Sequence, residues 1–234
     1  PMYAVHVSSA RGLKVAQAAR ARGLPFYIET RPIYLHLTRE RFAGPNPGVY
    51  VGQPPLREQA DQDALWEALA NGTIQVIGTD HVAYSREDKL DPSQTITNHR
   101  AGMNHLQMLR PLLYSDGVLK NRISIERMVE VTSTNTAKLF GIFPQKGTIA
   151  IGSDGDLVVW DPNETRVVRD EDMFSATGFS IYAGWEVTGW PLVTIRRGEV
   201  VYENGEILVE AGTGQLLQRI PWQALYPLLF RHQV

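Results

Sequence analysis

No cysteine occurs among the 234 residues. Disulfides and thiolate metal sites are therefore excluded, so a bound metal would need histidine, carboxylate or a lysine-derived oxygen. Charge of one sign is also lacking: 23 Lys and Arg face 25 Asp and Glu, for a formal net charge of -2. That balance points to neither nucleic acid nor an anionic membrane as a partner. No apolar run approaches the roughly 18 to 20 residues of a spanning helix. The apolar stretch 225–230 is short and contains Pro227. The opening does not read as a signal peptide, and the cytoplasm is the expected location. No internal repeat is evident. What is present is a globular composition, 43% apolar and 21% charged, which excludes wholesale disorder. The length suits one large domain or two modest ones.

The first two thirds alternate strand and helix signals. Tyr3 to Val7 is a β-rich run, and Ser8 or Ser9 can cap a helix over 10–22 that Gly23 ends. Residues 25–29 and 73–78 read as further strands, with helices over 32–42 and 57–70 and a Gly/Pro-rich loop over 44–52. This alternation predicts parallel α/β units. A polar loop is expected over 85–97, then helices over 102–114, over 125–131 capped by Ser124, and over 136–140 capped by Thr134. From Lys146 onward glycines punctuate short β-rich runs. One strand is expected over 156–160, and 192–196 with 199–202 form a hairpin turning at Arg197-Gly198. The tail from Glu210 is expected to wrap another surface or subunit. The chain opens at Pro1 already inside an apolar run, which reads as a cut.

The sharpest local motif is Gly78-Thr79-Asp80-His81 at a strand end. Active sites of parallel α/β folds gather at the carboxyl ends of strands. A carboxylate there can bind a metal, take a proton, or do both in turn. The plain alternative is an Asp cap followed by His81 in a surface turn. His6 ends another predicted strand, and a lone histidine there is ordinarily a core or cap residue. Its matching placement with Asp80 makes the pair the beginning of a metal site. His36, His99, His105 and His232 lack that placement and read as helical or loop residues. Gln53 follows a strand-like stretch, Val49-Tyr50-Val51, and precedes Pro54-Pro55. It is either a rigid turn or a loop presenting backbone groups to a ligand. Ala101-Gly102-Met103 opens the helix over 102–114, with the option of offering free backbone N–H groups.

Taken in order, these residues resemble the C-terminal half of the cyclic amidohydrolases, dihydropyrimidinase and hydantoinase first. The likeness runs through Val5-His6-Val7-Ser8-Ser9, Glu29-Thr30, Pro54-Pro55-Leu56-Arg57, Gly78-Thr79-Asp80-His81 and Leu112-Leu113-Tyr114-Ser115-Asp116-Gly117-Val118. It continues through Thr132-Ser133-Thr134-Asn135-Thr136-Ala137 and Gly152-Ser153-Asp154-Gly155-Asp156-Leu157-Val158. The resemblance implies an α/β fold: strands 6–8 of a (β/α)8 TIM barrel plus the C-terminal share of a small β-sandwich. Residues 1–145 would be the barrel part, 146–209 the sandwich part and 210–234 a tail contacting a neighbouring subunit, in a homotetramer. It further implies two zinc ions, with His6 and Asp80 as ligands, Asp80 also moving the proton, and a carbamylated lysine that this chain lacks. Substrate amide groups would meet the backbone at Gln53 and Ala101, where relatives usually carry serine and asparagine. The remaining ligands, the first-strand His-x-His pair among them, would lie upstream of Pro1, in a missing N-terminal half. The implied reaction opens a hydantoin, dihydropyrimidine or related cyclic amide to an N-carbamoyl amino acid. Rival expectations are a non-catalytic dihydropyrimidinase-like scaffold and an inactive fragment.

Overall fold

The computed structural model describes residues 1–95 and 97–221. The chain forms two compact units. One comprises Pro1–Met128 with Thr165–Thr188, the other Val129–Glu164 with Gly189–Val234.

The first unit is built on a parallel sheet of order β1-β2-β3, with β1 at Met2–Ala4, β2 at Phe26–Thr30 and β3 at Val76–Ile77. Met2 pairs with Phe26 and Ala4 with Ile28, and Glu29 pairs with Val76. Parallel neighbours need crossovers, and helices supply them. Helix α1, Ala10–Ala21, starts where the Ser9 side chain accepts the Gly12 N–H at 3.2 Å, as the sequence predicts. It buries Leu13 and Ala16. Helix α2, Pro32–His36, is shorter than expected because Leu37 turns extended and Arg39 donates to the Arg57 carbonyl at 2.8 Å. Residues 39–43 then make a separate 3-10 turn. Helix α3, Gln59–Ala70, buries Leu65, Trp66 and Leu69. The Trp66 indole donates to the Leu35 carbonyl at 2.8 Å, so the apolar face is also pinned by a polar bond.

Three local expectations are corrected in this unit. The strand-like Val49-Tyr50-Val51 is instead a 3-10 turn over Pro47–Tyr50, because Pro47 fixes its first helical φ and no strand pairs there. The polar loop contains helix α4, Arg86–Leu90, closed by a capping box between Ser85 and Asp88. The helix expected from 102 begins only at α5, Leu109–Leu112, and continues as a π-helical stretch over Leu113–Val118. Upstream of it Gly102 takes φ 143° and Met103 bridges to His81, which no helix allows.

Helix α6, Ile125–Val129, is capped by Ser124, whose hydroxyl accepts the Arg127 N–H at 3.1 Å. It runs through a π-helical stretch into α7, Asn135–Leu139. Thr134 is therefore helical rather than a cap, and its hydroxyl donates to the Gly147 carbonyl at 2.7 Å. The second sheet has order β4-β5-β6-β7: Leu157–Val167, Glu186–Arg196, Glu199–Glu203 and Glu206–Ile207. Arg196 pairs with Glu199, and Arg197 and Gly198 take φ 51° and 81°, the two left-handed positions of a type I′ hairpin. The expected hairpin and its turn are both found. Among the described residues no helix is long and apolar enough to cross a membrane.

Candidate functional site

The site grows from the carboxyl ends of the parallel strands in the first unit. Just past β1 the chain turns sharply, with His6 at φ 57°. Just past β3 it does the same, with Asp80 at φ 49°. Histidine and aspartate are among the few L residues that tolerate this left-handed region. The two turns bring His6 Nε2 within 3.7 Å of Asp80 Oδ2. These sequence-selected residues, 74 positions apart in the numbering of the chain, thus share one site.

Three partners hold that pair, and none was picked out as a site residue from the sequence. Glu29 of β2 reaches His6 Nδ1 at 2.8 Å with one carboxylate oxygen. Its other oxygen accepts the Tyr3 hydroxyl at 2.8 Å. Burial, reinforced by the Glu29 charge, raises the Tyr3 pKa, so the phenol stays a donor. With Glu29 beside Nδ1, the other ring nitrogen, Nε2, faces Asp80. The fit is close enough that a Cβ on Gly78 would stand 2.5 Å from the Glu29 carboxylate. A larger residue there would push the Glu29 carboxylate away from its partners.

Arg31, wholly buried, is the third partner. Its Nε donates to the Thr79 carbonyl at 2.9 Å and its Nη2 to the Asp80 carbonyl at 3.3 Å. Nη1 lies 3.2 Å from Asp80 Oδ2 and 3.4 Å from the Gln53 carbonyl. Nη2 also faces His105 Nε2 at 3.3 Å. Burial, then the neighbouring Arg31 charge, holds the His105 pKa well below its ordinary value, so a neutral ring accepts from the guanidinium. The Tyr34 hydroxyl donates to the Pro54 carbonyl at 2.7 Å, and burial pushes its pKa up to about 12.

Gln53 therefore joins the pair through its backbone carbonyl and Arg31. Ala101 does not meet them directly. Its N–H is engaged by the His99 carbonyl at 3.0 Å, which leaves its carbonyl for a ligand rather than the N–H expected from a helix start. His81 is not the surface turn of the plain alternative. Its Nδ1 accepts the backbone N–H groups of His105 and Leu106 at 3.1 and 3.2 Å, and burial lowers its pKa. His36 is helical and buried as a neutral ring, while His232 lies outside the described residues.

As a donor set, His6 Nε2 and Asp80 Oδ2 suit one cation. Two ligands at about 2.0–2.2 Å from a tetrahedral ion sit about 3.4 Å apart, near the observed separation. Among the described residues no three His, Asp or Glu side chains gather to hold a metal unaided. The pair is thus a partial shell with its supporting residues already in place.

With the geometry in place, the class of protein is defined: the chain belongs to the amidohydrolase family, whose sequence model matches residues 6–201. It is 36% identical over 223 residues to a D-phenylhydantoinase of Escherichia coli O1:K1, a match that covers 95% of this chain and 48% of the relative. A D-hydantoinase of Geobacillus stearothermophilus is 37% identical over 227 residues, with 96% and 48% covered. Among solved structures, the D-hydantoinase (dihydropyrimidinase) of Thermus sp. superposes with a TM-score of 0.89 at 39% identity, covering 93% of this chain and 48% of that one. The L-hydantoinase (dihydropyrimidinase) of Arthrobacter aurescens gives 0.84 at 38%, covering 91% and 47%. The chain has the α/β fold of these structures and spans about half the length of the curated relatives it matches.

Proposed function

We propose that this chain is the C-terminal portion of a metal-dependent cyclic amidohydrolase that opens a hydantoin, dihydropyrimidine or related ring to an N-carbamoyl amino acid. The observation that carries the reading is the His6–Asp80 pair at 3.7 Å, held from behind by Glu29 and Arg31. A scaffold would have no use for two strained ligands so braced. The names of the relatives, hydantoinases of both D and L description, favour a cyclic imide or amide substrate.

In this reading β1, β2 and β3 are the sixth, seventh and eighth strands of a (β/α)8 barrel. Residues 1–145 are the barrel share, 146–209 the share of a β-sandwich, and 210–234 a tail that meets another subunit of a homotetramer. Of that tail, 222–234 lie outside the described residues. The remaining ligands, a carbamylated lysine among them, belong to a separate N-terminal portion. The cytoplasm is the proposed location.

His6, with Glu29 lying 2.8 Å from Nδ1, would offer Nε2 to the metal, and Asp80 would offer a carboxylate oxygen. A zinc pair held there, when bound, would make a nucleophile available near neutral pH and would polarise the ring carbonyl. Asp80 accepts the proton released by the attacking water and delivers it to the ring nitrogen as the C–N bond breaks. The water oxygen ends in the new carboxylate, so the atoms balance. Backbone groups at Gln53 and Ala101 orient the ring amides. The test uses the protein at full natural length with hydantoin, dihydrouracil and allantoin, reading product formation and bound metal. Ring opening that persists unchanged in Asp80→Asn sinks the mechanism.

A further inference from the structure

Lys89 lies on α4, outside every contact described so far, and is only 5% exposed. Its ammonium carries three hydrogens and meets three backbone carbonyls: Val51 at 2.6 Å, Arg100 at 2.7 Å and Gly102 at 2.7 Å. The match of donors to acceptors is complete. Burial lowers the lysine from its ordinary value to about 8, while the three acceptors favour the charged form.

Those carbonyls come from two separate segments. Val51 stands two residues before Gln53. Arg100 and Gly102 flank Ala101 on both sides, so Lys89 grips the chain on either side of it and leaves the Ala101 carbonyl outside the cage. The same segments are tied to each other where the Gly102 N–H donates to the Val51 carbonyl at 3.1 Å. The main chain of Lys89 is fixed as well, because a Cβ on Gly48 would stand 2.6 Å from the Lys89 carbonyl. The 3-10 turn at Pro47–Tyr50 thus packs directly on α4. Among the described residues no carboxylate neutralises the ammonium. It acts as a tethered cation bound by oxygens alone, in the way a hard metal ion is held by backbone carbonyls.

We infer that Lys89 is a positioning residue for the substrate: one buried ammonium sets the spacing of the 51–53 and 100–102 segments, and with it the two backbone groups that grip the ring. The inference rests on the functional reading above. It assigns to an internal cation the work of fitting the ring, and it leaves the metal ligands untouched.

The test compares Lys89→Met and Lys89→Ala with the wild type, each at full natural length. Met keeps the length and apolar stem but removes the donors. The expected result is a KM raised roughly tenfold or more, with kcat and metal content changed much less, since misplaced binding groups act on orientation. A small alkylammonium ion added to Lys89→Ala is expected to recover part of the lost KM, and a neutral alcohol of the same size none of it. A lowered melting temperature with KM unchanged overturns the inference and leaves the lysine a stabilising residue only. If the wild-type protein opens no such ring, the functional reading fails by itself. Amide hydrogen exchange at Gly102 then decides the clamp: acceleration in Lys89→Met upholds it, and an unchanged rate overturns it.

Discussion

Among the described residues, the buried charged side chains Glu29, Arg31 and Lys89 all stand in the parallel α/β unit, and none stands in the antiparallel sheet unit. In the first, Arg31 and Lys89 are buried at 0% and 5% exposure; Lys89 meets three backbone carbonyls, and Arg31 meets three more besides the Asp80 carboxylate and His105. In the second, Lys146 pairs with Asp154 at 2.8 Å and also with Asp156, and Arg196 pairs with Glu199 at 3.1 Å, all at partly exposed positions. A buried cation whose partners are main-chain oxygens fixes the path of the chain, because those oxygens have no water to turn to. A surface ion pair exchanges its partner for solvent with little loss. The buried cations of the first unit therefore shape loops, while Lys146 and Arg196 belong to partly exposed ion pairs of a kind the first unit also carries, as at Arg39–Glu58.

The largest expected effect tests the site itself. Asp80→Asn keeps the size but cannot hold or release the proton, so turnover by the full-length protein is expected to fall about 10²- to 10⁴-fold, measured on hydantoin ring opening. Arg31→Met comes next. It strands the carbonyls of Thr79 and Asp80 and leaves the Asp80 carboxylate without its cation, at a cost of about 3 kcal/mol in urea denaturation. Lysine at the same position restores the charge but not the planar fork of donors and is expected to recover a minor part.

A graded effect, smaller per pH unit than the loss of Arg31, follows from the buried histidines. Burial lowers the pKa of His36 and of His105 below the ordinary 6.5. The unfolded chain thus takes up protons near pH 6.5 that the folded chain refuses. Stability is complete above that pH and is lost as pH falls below it, by up to about 1.4 kcal/mol per pH unit for each ring. Denaturation midpoints between pH 7 and 5 check the slope, and His36→Asn is expected to flatten it. The smallest effect belongs to the sheet unit: Lys146→Met is expected to cost less than about 1 kcal/mol. A loss as large as that of Arg31→Met would abolish the contrast between the two units.

The features legible in the sequence are those that local chemistry decides. The Ser9 cap, the Arg197-Gly198 turn and the parallel strand pattern each follow from a few adjacent residues. His6 and Asp80 could be paired because both stand at predicted strand ends. Glu29, Arg31 and Lys89 stayed hidden because a charged residue at a strand end or on a polar helix reads as solvent-facing. Their partners lie 23, 49 and 38 positions away, at His6, Asp80 and Val51, distances that no local pattern spans. A weak signal was available: Glu29 and Arg31 flank Thr30 directly behind the apolar run Phe26-Tyr27-Ile28, where charge needs a buried partner. At Val49-Tyr50-Val51 β propensity pointed the wrong way, since the proline before it and the close packing of Gly48 on Lys89 outweighed it.

The positive φ angles of His6 and Asp80 carry a further consequence. An L residue in that region costs about 1 kcal/mol or more, a strain that glycine does not feel. His6→Gly and Asp80→Gly would delete the working side chains and at the same time relax the backbone that presents them. Backbone conformation alone would favour glycine at these two positions, and the work of the side chains, including the Arg31–Asp80 ion pair, holds them away from it. The two turns are places where the backbone gives up its own preferred conformation to aim a side chain.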